Sequence, residues 1–156
     1  MRPLAERLIA EATSRNITMS FAESCTGGLI AGSVTDVSGA SKVFLGSAVT
    51  YSNEAKISIL GVDPQIINDF GAVSSQCAEK MAEGARRIFK SDIALSVTGI
   101  AGPDGGSEEK PVGTVWFGIS QSGRTYTFEK IFGGERALIR SSAVETALIS
   151  LIERMK

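Results

Sequence analysis

Runs of residues typical of β-strands alternate with helical segments along this chain, and this alternation limits the folds open to it. The β-type runs cover residues 17–22, 43–50 and 92–98. A strand that returns to its sheet through a helix places that helix on one face of the sheet. We therefore predict an α/β fold in which helices cover both faces, a three-layer α/β/α sandwich.

Two further β-type runs, residues 113–120 and 124–131, lie close together around Ser122 and Gly123. So short a separation predicts an antiparallel hairpin. A sheet that combines this hairpin with strands linked through helices is mixed. Helices are predicted over residues 3–15, from Thr26 to Val37, over residues 53–59, from Pro64, from Ser74 or Ser75 to about Phe89, and from near Glu135 to the end of the chain.

The length of 156 residues is that of one ordinary domain, and the single Gly/Pro-rich stretch, residues 99–113, is too short to link two. We predict one domain over residues 1–156. A net charge of -1 argues against a nucleic-acid or anionic-membrane partner. Residues 1–16 lack the pattern of a signal peptide, and two cysteines form no disulfide framework, so we expect a cytoplasmic protein.

The absence of histidine restricts the chemistry more than any other feature of the composition. It excludes the Ser-His-Asp and Cys-His mechanisms within one chain. It also removes the commonest zinc ligand, and two cysteines cannot form a structural zinc site alone. We expect neither a metal nor a cofactor, and a general base would have to be Lys, Asp, Glu, Tyr or Cys.

A first glycine-rich corner joins a predicted strand to a predicted helix and contains Ser24. A serine at this place would lie at a helix N-terminus, where unpaired backbone amides favour a developing oxyanion. The alternative is that Ser24 is a helix cap and the glycines permit a tight turn. The corner reads Ala22-Glu23-Ser24-Cys25-Thr26-Gly27-Gly28, and the amides from Cys25 to Gly28 are the predicted donors.

A second glycine-rich corner, from Thr98 to Gly106, also follows a predicted strand. Ligands of open α/β sheets bind beyond the carboxyl ends of the strands, where both corners would meet. Thr98, Gly99 and Gly102 are therefore candidate substrate-binding residues. The corner is not a phosphate-binding P-loop, because the Gly-Lys-Ser/Thr sequence is missing. An ordinary long loop is the alternative.

A third corner, Gly133-Gly134, precedes the last predicted helix. Arg136 and Arg140 lie four residues apart in its first turns, so both guanidinium groups share one face. Cations near a helix N-terminus are unfavourable unless an anion offsets them, which predicts an anion site. A solvated arginine pair that binds Glu135 or another carboxylate is the alternative.

The segment from Tyr51 to Lys56 supplies a candidate base. In the absence of histidine, Lys56 is the side chain that would accept the proton of Ser24. It would need a pKa well below that of a free lysine, which burial or a nearby cation produces. The alternative is a solvated lysine on a short helix, with Tyr51 at the edge of the core.

These segments together resemble the CinA C-terminal-domain family over residues 4–152. Characterised members of that family include nicotinamide mononucleotide deamidases. The motifs that carry the resemblance are Ala22 to Gly28 (AESCTGG), Gly46 to Lys56 (GSAVTYSNEAK), Gly71 to Ser74 (GAVS), Thr98 to Pro103 (TGIAGP), Pro111 to Val115 (PVGTV), and Gly134-x-Arg136 followed by Arg140.

The resemblance implies a three-layer α/β/α fold and a cytoplasmic role in pyridine nucleotide salvage. It implies hydrolysis of nicotinamide mononucleotide to nicotinic acid mononucleotide and ammonia by a serine–lysine pair, Ser24 and Lys56. Tyr51, Thr98 and Arg140 match positions expected to line the substrate site, and Tyr51 is a candidate proton relay. A homodimer or larger assembly is also implied. The family often has Gly-Asp-Arg where this chain has Gly134-Glu135-Arg136.

Two other interpretations are compatible with the sequence. In the first, Cys25 is the nucleophile, because a thiol at a helix N-terminus gains thiolate character. In the second, the chain is a nucleotide-binding or regulatory module of the competence/damage-inducible type that has a pocket but no catalysis. Substrate binding without ammonia release would distinguish this module from an enzyme.

Overall fold

Five strands form one mixed sheet in the computed structural model, which describes residues 1–155, and the order of the strands is β2-β1-β3-β4-β5. The strands are β1 (Met19–Glu23), β2 (Phe44–Val49), β3 (Ile93–Gly99), β4 (Thr114–Gln121) and β5 (Arg124–Ile131). The helices are α1 (Arg2–Arg15), α2 (Leu29–Thr35), α3 (Asn53–Leu60), α4 (Pro64–Phe70), α5 (Ser75–Phe89) and α6 (Arg136–Arg154).

The strand directions decide where the loops meet. β1 runs parallel to both β2 and β3, and β4 is antiparallel to β3 and to β5. In the register of the parallel strands, Glu23 pairs with Val49 on one side and with Val97 on the other. The chain therefore leaves β1, β2 and β3 at the same edge of the sheet, and the predicted strand-end residues gather there.

Helices cover both faces of the sheet. One apolar cluster packs α1, α2 and α6 against Phe21, Leu95 and Phe117 of the strands. A second, smaller cluster packs α3, α4 and α5 against Ala22 and Ala94 on the other face. The predicted three-layer α/β/α sandwich with a mixed sheet is confirmed.

The second helix differs from its prediction. It was expected from Thr26 but begins at Leu29. Gly27 and Gly28 have positive φ angles of 60° and 97°, a region that lies outside the right-handed helix. Residues 24–28 therefore form a turn of their own, and the helix starts after it. A short 3-10 turn at Ala40–Lys42 was not predicted.

Residues 1–155 contain no helix that is both long and apolar enough to cross a membrane. Within the same residues, the acidic and cysteine side chains form no group of three that would hold a metal ion.

Gly84 of α5 allows this helix to lie directly against the backbone of α3. A Cβ atom at position 84 would overlap the carbonyl oxygen of Leu60. Lys56 lies one helical turn before Leu60 on α3. The close contact between Gly84 and Leu60 is therefore one turn away from Lys56 on the same helix.

We expect Gly84→Ala to lower the free energy of unfolding by about 1–3 kcal/mol, because rigid backbone would have to move. Gly32→Ala is the matched control. It also replaces a helical glycine, but a Cβ there meets no atom within 4 Å. Its loss of backbone freedom in the unfolded chain should stabilise the protein by about 0.5–1 kcal/mol. Urea denaturation of both variants measures the two effects, and equal effects would contradict the assigned role of Gly84.

Candidate active site

One cavity of about 220 Å³ lies at the carboxyl ends of β1, β2 and β3. Polar groups from three separate loops converge on it, as is usual for the binding sites of α/β sheets. The predicted site residues that line it are Ser24, Cys25, Tyr51, Lys56, Thr98, Gly99 and Arg136.

Lys56 is buried in this cavity and contacts Ser24 directly. Its side chain is 1% exposed, and its Nζ lies 2.9 Å from the Oγ of Ser24. The carbonyl oxygens of Thr50 and Tyr51 accept hydrogen bonds from the same Nζ at 2.7 and 3.3 Å. The alternative of a solvated lysine is wrong, because a short helix places this side chain under the loop that follows β2.

The start of α3 explains how Lys56 reaches this place. Ser52 caps the helix by accepting a hydrogen bond from the amide of Ala55 at 3.1 Å. Lys56 follows in the first turn and points towards the sheet. Burial lowers the pKa of its amine below the ordinary value of 10.5. No carboxylate within residues 1–155 forms an ion pair with it, so no opposite charge offsets the cost of burying the charged form.

The turn that carries Ser24 offers fewer free amides than the sequence predicts. The amide of Gly27 donates to the carbonyl of Ser24 at 3.0 Å, and the amide of Gly28 donates to Glu23 Oε2 at 3.0 Å. The prediction of free donors from Cys25 to Gly28 is therefore wrong for both glycines. The amides of Cys25 and Thr26 donate to no other residue in the described part of the chain.

Cys25 is a poor nucleophile in this environment. Its side chain is buried, and this burial raises the pKa of the thiol to about 11. A thiol with such a pKa remains protonated at neutral pH. The position at the start of a helix, on which the thiol alternative depended, does not overcome desolvation.

Arg136 spans the mouth of the cavity. Its Nη1 donates to the carbonyl of Gly102 at 2.8 Å, and its Nη2 donates to the hydroxyl of Tyr51 at 3.0 Å. The guanidinium group thereby links the second and third glycine-rich corners to the loop after β2. The Tyr51 hydroxyl forms no hydrogen bond with Ser24 or Lys56 among the described residues.

Arg140 lies outside the lining of this cavity and contacts the Ser24 turn from the other side. Its Nε donates to the carbonyl of Cys25 at 3.0 Å, and its Nη2 donates to the carbonyl of Thr26 at 3.1 Å. The guanidinium group is within 3.3 Å of the place where a Cβ of Gly27 would lie. A side chain at position 27 would therefore press on this contact.

A second cavity of about 520 Å³ adjoins the first at Ala101 and Arg136. It lies at the N-terminus of α6 and is lined by both arginines. Arg136 and Arg140, the predicted anion-binding residues, thus border the same cavity, although only Arg136 also lines the cavity of Ser24. Four predicted residues lie outside the lining of both cavities: Thr26, Gly27, Gly28 and Gly102.

Thr98 lies in the first cavity through its place at the end of β3. Its hydroxyl donates to the carbonyl of Ala72 at 2.9 Å, which ties β3 to the segment before α5. The hydroxyl oxygen retains accepting capacity after this donation.

Glu23 was not among the predicted site residues, although it immediately precedes Ser24. It is a fully buried carboxylate at the end of β1. An acidic residue that ends a buried strand just before a helix N-terminus is a recognisable sequence signal for such a contact, because the free amides at a helix N-terminus donate hydrogen bonds to an anion.

The fold and the site define a class of protein: an α/β/α sandwich with a buried serine–lysine pair at the carboxyl edge of a mixed sheet. The chain belongs to the CinA family, since the model of the CinA C-terminal domain matches residues 1–155.

Similar proteins have names from the same family. A "putative competence-damage inducible protein" of Moorella thermoacetica is 49% identical over 138 residues, which are 88% of this chain and 33% of that protein. Another of that name, from Acetivibrio thermocellus, is 54% identical over 132 residues, 85% of this chain and 32% of that protein. The chain thus spans about a third of the length of these relatives.

Solved structures of the family match over nearly their whole length. The competence/damage-inducible protein CihA of Agrobacterium tumefaciens is 44% identical with a TM-score of 0.96, and the match covers 99% of this chain and 95% of that one. A CinA superfamily protein of Klebsiella pneumoniae is 32% identical, also with a TM-score of 0.96, over 99% and 96% of the two chains.

The lowered pKa of Lys56 predicts a change of stability with pH. Between that pKa and 10.5, the unfolded chain binds more protons at Lys56 than the folded chain does. The free energy of unfolding therefore gains a contribution that rises with pH across this window. Lys56→Met removes the titrating group and serves as the reference.

We expect the free energy of unfolding of the natural chain, minus that of Lys56→Met, to increase as pH rises from neutrality towards 10.5. Urea denaturation at a series of pH values measures it, and the subtraction cancels the other titrating groups. A difference that stays constant with pH would mean that burial does not perturb Lys56.

Proposed function

We propose that this chain is an amidohydrolase that converts nicotinamide mononucleotide to nicotinic acid mononucleotide and ammonia. The observation that carries the proposal is the contact of 2.9 Å between Lys56 Nζ and Ser24 Oγ in a buried cavity. A nucleophile within hydrogen-bond reach of a base is the geometric requirement for covalent catalysis. The chain has no histidine, so a lysine with a lowered pKa takes the role of the base.

The contacts of Lys56 orient its lone pair. A neutral amine has two N–H groups, and the carbonyls of Thr50 and Tyr51 accept one each. In the protonated amine Nζ donates to Ser24 Oγ; in the neutral amine that the proposed mechanism requires, this bond reverses, and the lone pair accepts the proton of the hydroxyl. The two carbonyls thus hold the base in the orientation that the first step requires.

The reaction follows from this arrangement. Ser24 Oγ attacks the carboxamide carbon while Lys56 takes its proton, and the oxyanion accepts a hydrogen bond from the amide of Cys25, which lines the cavity. Ammonia leaves with the proton from Lys56, and an ester with Ser24 remains. Lys56 then removes a proton from water, which attacks the ester, and the same proton passes from Lys56 to Ser24 Oγ as the ester bond breaks and the acid is released. General base assistance of this kind contributes about 10²–10⁴-fold to the rate.

The two adjoining cavities suit a substrate with an amide at one end and a phosphate at the other. The amide occupies the cavity of Ser24, and the phosphate enters the cavity at the N-terminus of α6. Arg136 borders both spaces, and the helix N-terminus favours an anion. Each arginine already donates through two of its nitrogens to the protein, but only Arg136 lines both cavities, so Arg136 is the principal phosphate contact in this proposal.

Tyr51 has a different role from the predicted proton relay. Its hydroxyl accepts from Arg136, and its carbonyl accepts from Lys56. It thereby orients the phosphate-binding arginine and the base at the same time. The enzyme would act in pyridine nucleotide salvage in the cytoplasm, as a homodimer or larger assembly, and it would need no cofactor or metal.

We expect Ser24→Ala to abolish ammonia release from nicotinamide mononucleotide while the protein still folds and binds this substrate. The reason is that, among the described residues, Ser24 has the one side-chain hydroxyl that contacts Lys56 Nζ. Ammonia release and calorimetric binding measure the two properties. Cys25→Ala is the matched control, and we expect it to retain most of its activity, because the protonated thiol takes no part.

An active Ser24→Ala beside an inactive Cys25→Ala would transfer the role of nucleophile to the thiol. Binding of nicotinamide mononucleotide without ammonia release by the natural chain would support the non-catalytic nucleotide-binding module.

We expect Arg136→Ala to weaken binding of nicotinamide mononucleotide about ten- to a hundredfold, since a charge-assisted hydrogen bond contributes about 1.5–3 kcal/mol. Nicotinamide riboside lacks the phosphate, so its binding should change little. Arg140→Ala is the control: it releases the Ser24 turn and should impair turnover of both compounds. An equal effect of Arg136→Ala on both compounds would rule out phosphate recognition by this residue.

A further inference from the structure

Glu23 is a buried carboxylate with no cation beside it in the described chain, and every contact that it makes leads to the Ser24 turn or the elements around it. Its side chain is inaccessible to solvent. Five groups donate to its two oxygens: the hydroxyls of Thr26 (2.7 Å) and Ser47 (3.1 Å) and the amides of Gly28 (3.0 Å), Ile30 (3.1 Å) and Ala31 (2.9 Å).

These contacts divide between the two oxygens. Oε2 accepts from Thr26, Gly28 and Ile30, so it holds the turn to the beginning of α2. Oε1 accepts from Ala31 in α2 and from Ser47 in the neighbouring strand β2. Since a buried charge is costly unless donors surround it, this number of contacts indicates a carboxylate that is held in one position.

The Ser24 turn is held from its other side by Arg140. Glu23 binds the hydroxyl of Thr26 and the amide of Gly28, whereas Arg140 binds the carbonyls of Cys25 and Thr26. Glu23 thus accepts hydrogen bonds from donors of the turn, and Arg140 donates hydrogen bonds to carbonyl oxygens of the same turn. The amide of Cys25, which lines the cavity of Ser24, donates to no other described residue, and it is the proposed oxyanion donor.

We propose that Glu23 is a positioning residue of this hydrolase: its carboxylate fixes the turn that carries Ser24 and the amide of Cys25. The inference rests on the proposed function for its catalytic consequence only. Glu23 does not touch the reacting atoms. It acts through the turn, because it immediately precedes Ser24 and accepts hydrogen bonds from residues of the turn and of the start of α2.

The discriminating variant is Glu23→Gln, which preserves size but replaces one oxygen by an amino group. An amino group cannot accept hydrogen bonds. In either orientation the amino group faces backbone amides that can only donate, those of Gly28 and Ile30 or that of Ala31, so the side chain must shift and the contacts of both oxygens with the turn and α2 are disturbed. In both cases the carboxylate charge that favours the start of α2 is also lost.

We expect kcat for nicotinamide mononucleotide to fall about ten- to a hundredfold in Glu23→Gln, because a small misplacement of reacting groups has an effect of this size. KM should stay close to that of the natural chain, since Arg136 and the second cavity are unchanged. In hydrogen–deuterium exchange, the amides of Gly27 and Gly28 should exchange faster. All measurements are made at a temperature at which circular dichroism shows a folded variant.

Ser47→Ala is the matched control. It removes one donor to Oε1 on the side of β2 and preserves all three contacts of Oε2. We expect nearly natural kcat. If Glu23→Gln does not fold, Thr26→Val replaces it, because this variant deletes only the hydroxyl bond to Oε2. Thr26→Val should likewise lower kcat by a larger factor than it changes KM.

The outcomes separate the inference from the proposed function. Unchanged kcat in the folded Glu23→Gln, or an equal fall in Ser47→Ala, would overturn the inference and leave the hydrolase intact. If the natural chain releases no ammonia, the proposed function fails. The positioning role of Glu23 is then tested by hydrogen–deuterium exchange at the amide of Gly27 alone. This amide lies within the turn and donates to Ser24, so faster exchange in Glu23→Gln supports the positioning role and unchanged exchange overturns it.

Discussion

The burial of one lysine amine is the constraint on which the rest of the site depends. Lys56 enters the protein on the first turn of α3, and its amine meets Ser24 and two backbone carbonyls. Burial lowers the pKa of the amine, as the proposed role of a base requires in a chain without histidine. The helix that carries Lys56 packs closely against α5 at Gly84, one turn further on.

The site also requires that the Ser24 turn, residues 24–28, keeps one conformation beside Lys56. Gly27 and Gly28 bend the chain after β1, and their positive φ angles allow the bend. Flexibility would accompany such residues if nothing held them. Glu23 and Arg140 bind groups of opposite polarity on the turn, so the conformational freedom of the glycines does not reach Ser24. The fold combines a bend that only glycine adopts readily with side chains that immobilise it.

Sequence reasoning located the elements of the site better than it located their contacts. The corner after β1, the segment Tyr51 to Lys56 and the corner after β3 were predicted, and the topology brings them to one cavity. The free amides of Gly27 and Gly28 were predicted wrongly, since Glu23 accepts from one and the carbonyl of Ser24 from the other; the place of Glu23 before a helix is a local signal, but the bend that turns these amides inward is not. An acceptor that folds back on its own turn is visible only in three dimensions.

The sequence by itself determined the alternation of strands and helices, the positions of the glycine bends and the absence of histidine chemistry, because these follow from local residue patterns and composition. Only the tertiary structure decided that burial lowers the pKa of Lys56, that Cys25 remains a thiol and that Arg136 and Arg140 bind different groups. Desolvation and hydrogen-bond partners depend on residues far apart in the chain, and they arise when the sheet brings those residues together.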